Sequence, residues 1–257
     1  MSPAASPKQP PAAADGKAGR KKKKPAGSRG KAAAGTRLRR IGRWVLIAIA
    51  TLVLIPGVLV PVYTVVRPIS TLMIATRIAD GPIRRDWVGF DDIAKVAVIS
   101  VMVSEDSRFC EHHGVDWGAL NEVLDDPDGP SRGASTIVMQ TVRNLFLWSS
   151  PSYIRKGLEI PIALYADAIW SKRRAMEIYL NIAEWGPNIF GIEAAAQHHF
   201  GRPAKDLTAS QSALLAVTLP NPRVRNPASP SRLMQSLART VAARARIAGP
   251  YIKCLYP

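Results

Sequence analysis

Twenty-three consecutive residues without a charge, Trp44 to Val66, constrain this chain more than any other stretch. An α-helix rises 1.5 Å per residue, so a run of that length covers a hydrocarbon core of roughly 30 Å. A removable signal sequence has a shorter apolar part and a small-residue exit. Here Pro56, Gly57 and Pro61 interrupt the run and no clear cleavage site follows, so a retained transmembrane helix over 44–66 is expected. Arg37, Arg39, Arg40 and Arg43 precede it, and Arg67 is the one near charge beyond it until Arg77. The positive-inside rule then keeps the N-terminus in the cytoplasm and exports everything after the anchor.

Residues 1–43 are rich in Ala, Pro, Gly and Lys and lack apolar periodicity, which predicts a disordered basic cytoplasmic tail. Its 13 Lys and Arg against Asp15 account for +12 of the formal +16. The high pI therefore describes the tail, the remainder is nearly balanced, and nucleic acid is not expected as a partner. The two cysteines, Cys110 and Cys254, make no disulfide framework, and free thiols are the expectation. Neither combines with His112 and His113 into a four-ligand zinc pattern, so no metal site is expected.

After the anchor, residues 67–90 read as a juxtamembrane connector, whose Leu72, Met73, Ile74 and Ile78 suit either the membrane interface or the domain surface. Residues 91–250 then read as a predominantly α-helical exported domain. Asp91 and Asp92 mark the start of a helix through Ile93–Val103, and Asp116 caps the next, which ends near Asp125, Asp126 and Pro127. Ile137, Val142, Leu145 and Phe146 share the inner face of a third, with Gln140 and Arg143 projecting together. Pro151 fits the first position of a fourth, where Ile154, Leu158, Ile162, Tyr165 and Ile169 recur as a buried stripe and Pro161 favours a kink. Ser171 caps a fifth helix that buries Met176, Tyr179 and Leu180. Further helices run from about Ala209 to Leu219 and from Ser231 to Ile247.

Chemistry concentrates between Val103 and Asp116. Glu105, Asp106, Glu111, His112 and His113 crowd together just before Gly114 in an otherwise basic chain. A carboxylate at the end of a buried helix meets the edge of a core, where desolvation raises its pKa toward that of a general base. A solvated turn gives the same pattern, and this segment alone leaves both readings open. Arg155, Lys156 and Glu159 form a second charged group, at spacings that one helix face also uses for ordinary surface pairs.

Several separated segments then share one pattern. E-D-x-x-F-x-x-H-x-G is met by Glu105, Asp106, Phe109, His112 and Gly114. R-G-A-S-T-I runs from Arg132 through Ser135 and Thr136 to Ile137, followed by Gln140 and by Arg143, Asn144, Leu145 and Phe146. R-K-x-x-E is met by Arg155, Lys156 and Glu159, and S-K with Y-L-N by Ser171, Lys172, Tyr179, Leu180 and Asn181. With the later G-x-E-A-A-A and P-N-P segments, this order resembles the glycosyltransferase domain of peptidoglycan polymerases, the family shared with bifunctional penicillin-binding proteins. Little chain follows, so a monofunctional member from a Gram-negative bacterium is expected. One departure stands in the third helix, where Val138 and Met139 replace a polar residue and a Gln.

The resemblance implies a mainly α, lysozyme-like domain that polymerises lipid II into β-1,4 glycan with inversion and release of undecaprenyl pyrophosphate. It implies Glu105 as general base and Glu159 as second catalytic carboxylate. Asp106, Phe109, His112, Gly114, Ser135, Thr136, Gln140, Arg143, Asn144, Arg155, Lys156, Lys172 and Asn181 are implied at the substrate, with Arg143, Arg155 and Lys156 facing its phosphates. No cofactor is required, and a divalent cation, Mg or Mn, is an optional aid. Lipid II, the growing strand, the inner membrane bilayer and cell-division or elongation proteins are the implied partners, and inner membrane with a periplasmic domain is the implied location. Two rivals stay open: a lytic transglycosylase or muramidase, which also needs two carboxylates, and a degenerate membrane-anchored scaffold that binds lipid II without turnover.

Overall fold

The computed structural model describes residues 28–125, 133–150 and 152–257. The expectations for residues 1–27, Asp126, Pro127, Arg132 and Pro151 lie outside the described residues. The chain divides into two compact units, Met1–Ala50 and Thr51–Pro257.

Helix α1, Ser28–Val62, begins well before the apolar run. The stretch expected to be disordered is therefore helical from Ser28. Its Ala, Lys and Arg are good helix formers, and extending a helix already nucleated by the apolar segment avoids a new nucleation cost. Arg39–Val62 is long and apolar enough to cross a membrane. The helix stops four residues short of Val66, where the N–H groups of Thr64 and Val65 turn back to Pro61 and Val62 in tighter bonds and the Thr64 hydroxyl donates to Pro61 O at 2.6 Å.

Residues 67–90 belong to the domain instead of connecting to it. Ser70 caps α2, Thr71–Ala79, by accepting from Met73 N–H, and Met73 and Thr76 are buried. Ile74 and Ile78 stay 51% and 80% exposed, so the four apolar residues of this segment divide between core and surface. Strand β1, Arg84–Arg85, completes a small sheet with β2, Glu184–Gly186, and β3, Ile189–Phe190, in the order β1-β3-β2. Its pairing is parallel to β3, while β2 runs antiparallel around a turn in which Asn188 takes a left-handed φ of 62°.

The core is built on α3, Lys95–Glu105, buried on all sides from Ala97 to Val103. Asp91 and Asp92 do not start it. They lie in a short 3-10 turn, Ile93 is extended and Ala94 holds the cap position, so the helix begins and ends two residues later than the pattern suggests. Helix α4, Trp117–Asp125, is capped as expected by Asp116, which accepts from Ala119 N–H at 3.0 Å. Thr136 caps α5, Ile137–Phe146, which packs on α6, Tyr153–Ile169, and on α7, Lys172–Ile182. Ser171 caps α7 as expected. Helix α8, Ile192–Phe200, follows the sheet, and α9, Ala209–Ala216, and α10, Arg232–Arg246, pack against α3 and each other.

Helix α6 corrects the expected stripe. Ser152 is its cap and Tyr153 its first residue, and it buries Arg155, Glu159, Ile162, Ala163 and Ala166. Ile154, Tyr165 and Ile169 are 75%, 37% and 42% exposed. Only Ile162 of the apolar stripe is buried, because the helix turns an ion cluster and two alanines inward where close packing needs small side chains. Pro161 lies inside a helix that continues to Ile169.

The thiol expectation is also overturned. Cys110 and Cys254 form a disulfide across 144 residues, with Cα atoms 5.5 Å apart. Nothing in sequence signals this proximity, which arises because the C-terminal segment folds back onto the loop after α3. Leu255 is fully buried there, its carbonyl accepts from Arg173, and Tyr256 meets the Phe90 ring at 5.5 Å. The domain therefore extends past residue 250.

Candidate active site

Glu105 is the last residue of α3, half-buried in the wall of a cleft. Burial raises its pKa above the ordinary carboxylate range. Hydrogen bonds from Gln140 and Ser104, then the charges of Arg143 and Arg225, pull the other way without cancelling the effect. Gln140 Nε2 donates to Glu105 Oε2 at 3.2 Å, and Ser104 Oγ donates to Oε1 at 3.4 Å. The buried Tyr179 hydroxyl donates to Gln140 Oε1 at 3.0 Å, which turns the amide's N–H side toward Glu105.

The first cleft, about 500 Å³, is lined by Glu105, Asp106, Arg108, Ser135, Thr136 and Arg244, among others. The second, about 270 Å³, holds Gln140, Arg143, Asn144, Trp148, Tyr179 and Glu184. Gln140 and Arg143 thus project together, as their spacing predicts.

The loop after α3 is fastened mostly by the matched motif. Asp106 is buried; its carboxylate accepts from His112 Nε2 at 2.9 Å and from Ile137 N–H at 2.9 Å, tying the loop to the start of α5. Gly114 accepts from the Thr136 hydroxyl at 2.6 Å and has φ +77°. A Cβ there would stand 2.6 Å from Ala163 O, so only glycine lets the loop cross α6 this closely. Glu111 pairs with Arg108, and the His113 side chain is 96% exposed, so both stand apart from the site.

The second charged group is an ion triad in the α5–α6 contact. Glu159 is 1% exposed and paired with Arg155 Nη1 and, at 3.3 Å, with Lys156 Nζ. Arg155 is itself buried and also donates to Ser150 O at 3.0 Å. Lys156 Nζ donates to Ser135 Oγ at 2.8 Å, and Ser135 O accepts from Gln140 at 3.3 Å. Glu159 is therefore linked to Glu105 through Lys156, Ser135 and Gln140. The triad carries a net single positive charge when all three groups are ionised.

Of the expected substrate contacts, Asp106, Ser135, Thr136, Gln140, Arg143 and Asn144 line the two clefts, while Phe109, His112, Gly114, Arg155, Lys156, Lys172 and Asn181 line neither. Phe109 and Asn181 are fully buried and reach neither cleft. Asn181 accepts from Val88 N–H at 2.9 Å and donates to Val88 O at 3.0 Å, holding the strand region to α7. Lys172 Nζ donates to His112 O at 2.7 Å and to Asp167 at 2.8 Å and lies 4.8 Å from the Phe109 ring, tethering the same loop. Fixed spacing in these motifs records the fastening of a loop as much as contact with a ligand. Val138 and Met139 are fully buried, so their departure from the family pattern fills the core of α5.

Sequence reasoning missed Tyr179 as the orienter of Gln140, and Arg225, whose charge reaches Glu105 and whose Nη1 donates to Val217 O at 2.6 Å. Arg225 sits in a short P-N-P-R-V-R turn with no periodicity to reveal where it points.

A helical domain with a half-buried glutamate in the wall of a cleft, and with Arg143 in the neighbouring cleft, suits an enzyme of lysozyme-like architecture that acts on sugars. The chain belongs to the transglycosylase family, whose sequence model matches residues 73–246. It is 59% identical over 211 residues to a biosynthetic peptidoglycan transglycosylase of Brucella suis biovar 1 (strain 1330), covering 80% of this chain and 94% of that protein. Proteins of the same name from Mesorhizobium japonicum and Agrobacterium fabrum are 53% and 51% identical, over 86% and 84% of this chain and 97% and 98% of theirs.

Proposed function

We propose that this chain is a peptidoglycan glycosyltransferase that polymerises lipid II, with Glu105 as general base. The observation that carries the reading is a half-buried glutamate in the wall of the first cleft, whose carboxylate accepts a hydrogen bond from Gln140, a residue that lines the second cleft together with Arg143. A base is most effective when its pKa approaches the working pH, and burial moves Glu105 in that direction. In the reaction, a sugar 4-hydroxyl oxygen bonds to the donor's anomeric carbon as the bond from that carbon to the pyrophosphate breaks. The hydroxyl proton goes to Glu105, and the departing electron pair stays on the phosphate oxygen. A single displacement inverts the α-linked donor into a β-1,4 glycan.

Arg143 and Lys156 are the cations assigned to the leaving group, in the manner of fixed charges that await a developing anion. Arg155 takes a different role from the one the motif implies. It pairs with the buried Glu159, which would be costly to enclose without a partner, and the triad's surplus positive charge favours a phosphate nearby. A cleaving muramidase would leave those cations without a ligand. No step in this chemistry calls for a cofactor, and a divalent cation is proposed only as an aid in offsetting pyrophosphate charge.

The apolar span of α1 suits a substrate whose polyprenyl tail stays in the bilayer. The basic residues before it support an N-in orientation in the inner membrane, and the Cys110–Cys254 bridge fits an oxidising compartment such as the periplasm. Purified full-length protein is expected to convert lipid II to polymer, and Glu105→Gln to abolish it. Cleavage of finished glycan with no polymer formed from lipid II would refute the assignment.

A further inference from the structure

Charge is divided unevenly along the domain. Trp44 to Asp206 holds 18 Asp and Glu against 15 Lys and Arg, whereas Leu207 to Pro257 holds seven Lys and Arg and no acidic residue. Helix α10 carries four of those seven, Arg232, Arg239, Arg244 and Arg246, and none of the four has an acidic ion-pair partner among the described residues. Arg232, Arg239 and Arg246 recur every seven residues and are exposed, so they form one stripe with a repeat of about 10 Å along the helix.

Beside that stripe runs a furrow of about 610 Å³ between α9 and α10. Leu214, Pro230, Ala238 and Ala242 give it an apolar lining, and Arg239 and Arg246 stand in its wall. It shares no residue with the two clefts at Glu105 and Arg143. We infer that the furrow and its arginine stripe are a docking surface for an acidic amphipathic helix of another protein. Carboxylates at seven-residue spacing meet the arginines, whose planar donors bind a carboxylate through two parallel bonds, and apolar side chains on the adjoining stripe fill the furrow.

A protein is favoured over a bilayer by the way α10 is already used. A basic amphipathic helix binds a membrane by laying its apolar face into the headgroup boundary. Here that face, made by Met234, Ala238 and Val241, is buried where α10 packs on α3 and α9. The end of α1 is held by other elements: Trp170, the cap of α6, donates to Val60 O, and Arg174 of α7 donates to Tyr63 O. What α10 turns outward along the furrow is guanidinium beside an apolar recess, the complement of a helix that carries carboxylates.

The test uses full-length protein in phosphatidylcholine nanodiscs and a fluorescent synthetic helix with Glu at every seventh position and Leu on the adjoining stripe, read by anisotropy. Wild type is expected to bind this peptide about tenfold more tightly than a scrambled peptide of the same composition. Arg239→Glu together with Arg246→Glu is expected to weaken binding about tenfold or more, and a peptide with Lys in place of Glu to recover it on that variant, which a folding defect would not produce. Ser210→Trp, at the exposed edge of the furrow, keeps every charge and is expected to weaken binding by a similar factor. None of these three residues lines the clefts at Glu105 and Arg143, so lipid II consumption without peptide is expected to stay at the wild-type rate in each variant. Equal binding of the ordered and scrambled peptides, or unchanged binding by the charge-reversed variant, overturns the docking surface. Slower hydrogen exchange across α10 in phosphatidylglycerol than in phosphatidylcholine discs, without peptide, makes lipid headgroups the occupant and overturns it as well. A wild-type protein that makes no polymer counts against the polymerase reading alone, and the peptide titration still decides the docking surface.

Discussion

Tyr179→Phe removes one buried oxygen and tests how Glu105 is tuned. In the folded protein the Tyr179 hydroxyl donates to Gln140 Oε1, which leaves Gln140 Nε2 to donate to Glu105. Without the hydroxyl, Gln140 Oε1 loses its donor and only the 3.3 Å bond from Nε2 to Ser135 O still holds the amide's orientation, so the bond to Glu105 is loosened. A hydrogen bond to a charged group contributes about 1.5–3 kcal/mol, so losing part of it, about 1 kcal/mol, changes the ionisation equilibrium about fivefold. The sign follows from the bond itself: Gln140 stabilises the ionised form and holds the Glu105 pKa down, so its loss raises that pKa further. A base works only when ionised, and the acid limb of the rate profile therefore moves to higher pH. The assay is the initial rate of lipid II polymerisation across the acid and alkaline ranges. The expected result is a drop of about fivefold on the acid side, with recovery toward wild type at alkaline pH. A profile that superimposes on wild type, or a loss equal at every pH, would show that Tyr179 does not act through the base.

Two further predictions concern stability. Gly114→Ala forces a Cβ to within 2.6 Å of Ala163 O at φ +77°; the left-handed backbone and the overpacking together cost about 2–4 kcal/mol, and thermal unfolding should occur several degrees lower. A melting temperature within a degree of wild type would contradict the close crossing of loop and α6. Glu105→Gln should stabilise the protein at about pH 8 and not at about pH 4. The raised pKa means that wild-type stability falls as pH climbs from the ordinary carboxylate value of 4.5 through the folded one, and the neutral amide escapes that loss. Equal melting temperatures at the alkaline pH would argue that Glu105 ionises without cost.

The residues differ in how far their roles could be read before folding. The position of Glu105 at the edge of a core was legible from an apolar helix running into a carboxylate, while its separation from a solvated turn came from the matched family pattern and not from the segment itself. Gly114 was legible as part of a motif, but the reason for glycine, a backbone crossing against Ala163, is a contact between segments about fifty residues apart. Helix α6 misled because apolar periodicity assumes that large hydrophobic side chains point inward, whereas its buried face is made by Arg155, Glu159 and small residues that satisfy one another. Asn181 and Phe109 looked like substrate contacts because matched spacing cannot separate a residue that touches a ligand from one that holds a loop in place.

The sequence alone determined the apolar span within α1, the mainly helical domain that follows it, and the caps Asp116 and Ser171. These rest on periodicity, charge and turn chemistry within a few neighbouring residues. Tertiary structure alone decided that Tyr179 orients Gln140, that Glu159 is enclosed by Arg155 and Lys156, and that Cys110 finds Cys254. Each of these is a meeting of side chains in a packed fold, set by which elements press together, and local order in the chain does not encode it in any form that can be read one segment at a time.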